Sequence, residues 1–99
     1  MTLTSRAEAL FVSWLQPSDR PTAEQVAAAI RATLLAHGGT GGCGAALAAE
    51  YGEHPETAAN RMRWALALAA RDAATAVAAR EPATARTLVA AREPATAVA

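Results

Sequence analysis

The chain has 99 residues, one domain's worth, and too few to hold a large buried active site beside its own core. Nine arginines, with no lysine, balance nine acids, and a net charge of zero argues against strong nonspecific attraction to nucleic acid or membrane. Apolar residues make up 53% but aromatics only 4%, the rest being mostly alanine, which favours closely packed helices and leaves too few β-branched and aromatic side chains for a sheet.

The chain therefore reads as all-α. Helix one is predicted to start at Ser5, where Ser5-Arg6-Ala7-Glu8 has the form of a capping box. Ala7, Leu10, Phe11, Trp14 and Leu15 recur at three and four residues, so they predict one apolar stripe that ends at Pro17. This stripe holds the only Phe and one of two Trp, which makes helix one the expected anchor of the core. Its apolar content also makes it the candidate face for pairing with a second copy.

Gln16-Pro17-Ser18-Asp19-Arg20-Pro21 reads as a loop stiffened by two prolines. Thr22-Ala23-Glu24-Gln25 is a second capping box, and Val26, Ile30 and Leu34 at spacing four carry helix two to about His37, where Gly38-Gly39 stops it. Gly38-Gly39-Thr40-Gly41-Gly42 is expected to be a flexible hinge. It is not a phosphate cradle, because Cys43-Gly44 stands where the Walker pattern needs Lys-Ser/Thr.

Helix three is predicted from Ala45 to Tyr51, with Leu47, Ala48 and Tyr51 inward and Gly52 as its stop. His54 then serves as a cap and Pro55 as the first residue of helix four, which runs to about Arg80 with Ala58, Met62, Ala65, Leu66 and Ala69 on its apolar face. Residues 1–80 form the expected helical domain. Residues 81–99 form an alanine-rich, low-complexity tail, in which Ala78-Ala79-Arg80-Glu81-Pro82-Ala83-Thr84-Ala85 recurs letter for letter as Ala90-Ala91-Arg92-Glu93-Pro94-Ala95-Thr96-Ala97. Two copies are too few for a solenoid, and Pro82 and Pro94 break long helices.

Residues 41 to 65 have the pattern of a helix-turn-helix: small Ala48 in the first helix, Gly52 in the turn for a positive φ, then Ala58 and Met62 on the inner face of the second helix. The stretch resembles the helix-turn-helix of region four of extracytoplasmic-function sigma factors. That family runs roughly Gly, two residues, Pro-Glu-Thr-Val, two residues, Arg-Leu, two residues, Ala. Gly52, Pro55, Glu56, Thr57, Ala58, Arg61, Met62 and Ala65 occupy those places, and Leu47-Ala48 matches the Ile-Ala before them. The chain departs from the family at Glu53, where an apolar residue is usual, and at Trp64, where a basic one is. No region two precedes the unit, so the chain is not expected to be a sigma factor itself. As a whole it is also similar to short actinobacterial proteins that pair a Leu-Gln-Pro-Ser-Asp loop with a His-Pro-Glu-Thr turn, a similarity that implies no activity.

The resemblance implies a transcription-associated domain that binds double-stranded DNA through Thr57, Asn60, Arg61 and Arg63, the arginines to phosphate or guanine and Asn60 to a base edge. The alternative is a non-enzymatic helical module that docks on a protein partner or pairs as a homodimer.

No catalytic residue, cofactor or metal is expected. His37, Cys43 and His54 lack the paired spacing of a zinc site, and Cys43 has no third group to orient a nucleophile pair. A lone cysteine, no basic-then-apolar leader and no uncharged apolar run of about 20 residues lead to the expectation of a cytoplasmic chain that neither enters nor crosses a membrane.

Overall fold

In a computed structural model of the chain, residues 1–79 are described. They form an all-α domain of four helices: α1 (Leu3–Val12), α2 (Ala23–His37), α3 (Thr40–Glu53) and α4 (Pro55–Ala79), with a short 3₁₀ turn at Pro17–Asp19 between the first two. The expected tail, residues 81–99, lies outside the described residues, as does Arg80.

Helix α1 is central, packing against all three others and most extensively against α4. It begins earlier than Ser5. Thr2 is the cap, its hydroxyl accepting from the Ser5 N–H at 3.0 Å while its carbonyl accepts from Arg6 N–H. Thr2 is also a competent cap, and nothing between it and Ser5 resists helix, so the extra turn forms.

The helix also ends earlier than Pro17, because Ser13 is extended. The Ser13 hydroxyl donates to Leu10 O at 2.6 Å and accepts from Leu15 N–H, diverting the chain out of the helix. Trp14, expected in the core, is thereby turned outward and is 60% exposed, whereas Leu15 folds inward.

The main apolar stripe of α1 is not spare. Ala7, Ala9, Leu10 and Phe11 are all buried within the domain, so they do not supply a dimer face.

The alanine-rich composition explains the packing. Ala7 and Ala9 of α1, Ala29 of α2, and Ala58, Ala65 and Ala69 of α4 are buried, and side chains this small let helix axes approach closely. Leu10, Phe11, Val26 and Ile30 supply the bulk. Leu34, Leu47 and Met62 pack against this core from its edge, half-buried rather than enclosed. On α4 the inward leucine is Leu68, not Leu66, which is 39% exposed. Position 68 continues the 58–65 stripe and position 66 leaves it by about 100°.

Helix α2 follows the sequence closely. Thr22 Oγ1 accepts from Gln25 N–H and Gln25 Oε1 accepts from Thr22 N–H, and Gly38 ends the helix at φ +74°.

The glycine-rich stretch does not form a five-residue hinge. Only Gly38 and Gly39 turn, both at positive φ, and α3 starts at Thr40 and absorbs Gly41, Gly42 and Gly44. Gly42 is needed for proximity: a methyl group there would overlap the carbonyl of His37, so the first turn of α3 lies directly against the last turn of α2. Gly44, by contrast, faces open space. Gly42→Ala is therefore expected to lower the melting temperature by several degrees, and Gly44→Ala to raise stability by about 0.5–1 kcal/mol through helix propensity alone. Thermal unfolding of the two variants side by side checks the pair, and opposite signs are the expected outcome.

Cys43, one turn into α3, is the deepest residue of that helix at 1% exposure. Burial pushes its thiol above the ordinary range, and the charge of Glu8 adds to the effect. A raised pKa in the folded state stabilises the fold below the unfolded thiol's value of about 8.5, and that contribution is lost as pH rises beyond it. Thiol-reactive dye should leave the folded domain unmodified at neutral pH and label it completely in denaturant. Prompt labelling of folded protein would contradict this burial.

Candidate functional site

The residues expected to read DNA sit on the first turns of α4, where α3 and α4 make a helix-turn-helix-like pair. The junction between them is a single residue, His54, whose N–H donates to Glu50 O at 2.7 Å and whose carbonyl accepts from Ala58 N–H at 2.8 Å. It thus closes one helix and opens the next. Gly52 is not the turn: it lies inside α3 without a positive φ. Pro55 takes the first helical position, where its missing N–H costs nothing.

From Pro55 onward the helical repeat divides the expected reading set. Thr57, Asn60 and Arg63, spaced by three, are exposed on one face. The Asn60 side-chain oxygen accepts a hydrogen bond from the Arg63 guanidinium, so these two side chains are paired with each other. Glu53 and Glu56 are exposed beside them, and Glu53 lies 3.9 Å from the His54 imidazole. Arg63 is thus a single cation among acids at this end of the domain.

Arg61 faces the other way. It is half-buried between Ala58 and Ala65 on the inner stripe of α4, and it reaches across to the end of α1. Its Nε donates to Phe11 O at 2.6 Å, and its Nη2 donates to Ser13 O and Leu15 O at 2.9 Å each, with a longer contact to Leu10 O at 3.5 Å. Phe11 O lies in the last turn of α1, where carbonyls lack helical partners, and Ser13 O and Leu15 O belong to the stretch just after it; a planar cation at a helix C-terminus also opposes the negative end of the helix dipole. The guanidinium lies 4.7 Å from the Trp64 ring centre and 5.8 Å from that of Phe11, which stacks on Tyr51. Burial lowers the Arg61 pKa, yet an arginine stays charged throughout the physiological range. Arg61 and Arg63, equivalent by sequence, therefore have separate roles: one ties α1 to α4 and the other is exposed, bonded only to Asn60 on its own helix.

Two open grooves flank the loop between α1 and α2. One is lined by Trp14, Leu15, Asp19, Gln25 and Ala28. The other runs between the loop and α4, lined by Pro17, Arg20, Pro21, Trp64, Leu68 and Arg71 among others. The apolar stripe of helix one predicts Trp14 in the core, and no sequence motif singles out Arg20 or Arg71. The signal for Trp14 was Ser13, a residue able to end a helix by bonding back to its own carbonyls.

His37, Cys43 and His54 are not brought together, and no cluster of three metal-ligating side chains occurs among the described residues. No described helix is long and apolar enough to cross a membrane. No family model, curated protein or solved structure matches the chain.

Proposed function

We propose that the chain is a non-enzymatic helical module that binds a protein partner. The observation that carries this reading is Trp14. In a domain with four aromatic residues and a core built largely of alanine, the fold leaves one of its two tryptophans 60% exposed over an open groove. Leu35 is 84% exposed on the outward side of α2, the helix that supplies Ala28 to the same groove. Tryptophan, with tyrosine and arginine, is enriched among the residues that carry the binding energy of protein interfaces.

The engagement of Arg61 weakens the competing reading. A DNA-binding face built on Thr57, Asn60 and Arg63 has one cation, neighboured by Glu53 and Glu56, in a chain of zero net charge. Counterion release from so few phosphate contacts supplies little affinity. That second reading keeps the support of three polar side chains exposed in a row on one helix face.

Capture from native extract, with and without nuclease, tests the proposal. The expected result is a partner retained after nuclease and lost with Trp14→Ala, a variant whose melting temperature stays close to that of the parent. Capture that disappears with nuclease, or that ignores Trp14, would count against it.

A further inference from the structure

The groove between the Pro17–Pro21 loop and α4 has a chemistry distinct from that around Trp14. Its floor is apolar: Pro17, Pro21, Trp64 and Leu68. Its charged lining residues are Arg20 and Arg71, and no carboxylate lines it. The nearby acids are committed elsewhere. Asp19 turns toward the opposite groove and accepts from Gln16 N–H at 2.8 Å, and Asp72 pairs with Arg6.

Both arginines remain available. Arg71 is exposed and makes only a long, 3.4 Å contact to Pro21 O, and Arg20 is exposed with no ion pair among the described residues. Arg20 also holds a left-handed backbone, φ +46° and ψ +60°, the only such non-glycine residue described, immediately before a proline. This conformation is unfavourable for an arginine, and here it places that side chain at the groove.

Resting on the interaction-module reading, we infer that this groove binds an acidic peptide segment of a partner protein. One apolar side chain of the segment would lie on Trp64 and Leu68 while flanking carboxylates pair with Arg20 and Arg71. Arginine suits the task because its planar fork bonds a carboxylate twice. Charge complementarity selects the occupant, and the apolar floor favours a peptide over a phosphate backbone, which has no apolar group to place there.

The test uses the full chain carrying Trp14→Phe, so that Trp64 is the only tryptophan reporting fluorescence. The probe is a capped octapeptide, Asp-Leu-Phe-Glu-Asp-Leu-Phe-Glu, with a counterpart bearing Lys at every acidic position. The acidic peptide is expected to shift Trp64 emission saturably, more weakly as salt rises, and the basic peptide to leave it unchanged. Arg20→Ala and Arg71→Ala should each weaken binding about three- to tenfold, as loss of a charge-assisted bond implies, with Arg71→Lys losing less and Arg31→Ala losing nothing. Circular dichroism on each variant separates lost binding from lost fold.

No saturable shift, equal binding of the basic peptide, or full binding by the folded Arg20/Arg71 double variant would overturn the assignment. So would random duplex DNA competing at the same two arginines, or self-association that depends on them. If the peptide fails while Trp14-dependent capture persists, the groove assignment falls alone. If both fail, the module reading falls with it.

Discussion

Phe11→Ala is expected to unfold the domain, or to bring it to the edge of unfolding, at room temperature. Phe11 is 4% exposed on the central helix, its ring stacks on Tyr51 with centroids 6.0 Å apart, and Arg61 lies over it. Truncating a buried phenylalanine to alanine costs about 3–5 kcal/mol, the lost transfer free energy plus the cavity left behind. A domain this small has about 5–10 kcal/mol in total. Its alanine-rich core has few large side chains that can move into the space. Phe11→Leu refills most of the volume and should cost roughly 1–2 kcal/mol. Circular dichroism with urea titration measures both, and a Phe11→Ala variant as stable as the parent would refute this placement of the core.

The second large effect is expected at Arg61. Replacing it with methionine keeps much of the apolar stem but strips Phe11, Ser13 and Leu15 of the donor their carbonyls share. Charge-assisted hydrogen bonds contribute about 1.5–3 kcal/mol each when enclosed, but water can reach this half-exposed site, so the expected total is about 2–3 kcal/mol. That corresponds to a melting temperature lower by roughly 10–20 °C in a domain of this size. Arg61→Lys should recover little, because an ammonium cannot present several N–H groups in one plane to separate carbonyls. Arg63→Ala, two residues away on the watery face, should change stability by less than about 0.5 kcal/mol. Equal melting temperatures for the Arg61 and Arg63 variants would remove Arg61 from its place at the end of α1.

Much of this architecture is legible in the sequence, for physical reasons. Thr22, Gln25 and Gly38 bound α2 through local backbone chemistry, and local rules read local chemistry well. The 58–62–65–69 spacing gives the inner face of α4 in the same way, and the same periodicity places Arg61 on that inner face, against what the family resemblance implies for it. What the sequence hides is non-local or balanced between alternatives. Thr2 and Ser5 are both competent caps. Gly41, Gly42 and Gly44 disfavour helix individually, yet the close contact of Gly42 with His37 is made only if α3 begins at Thr40. The exposure of Trp14 depends on one serine hydroxyl turning back on Leu10 O. The groove between the loop and α4 exists only because residues some fifty positions apart meet, as Pro21 and Arg71 do.

We propose that the arginine the helix-turn-helix pattern would send to DNA instead holds the fold together, leaving Arg63 as the one cation on the exposed face, too little charge to bind duplex. Fluorescence anisotropy with labelled random-sequence duplex at low salt tests it most directly, on the parent chain and on Arg63→Ala. The expected result is no binding by either protein at concentrations up to tens of micromolar, well inside the range of roughly 1–100 µM typical of nonspecific affinity. Salt-dependent binding by the parent that Arg63→Ala abolishes, in a variant that melts as the parent does, would contradict it and restore Thr57, Asn60 and Arg63 as a DNA-reading surface.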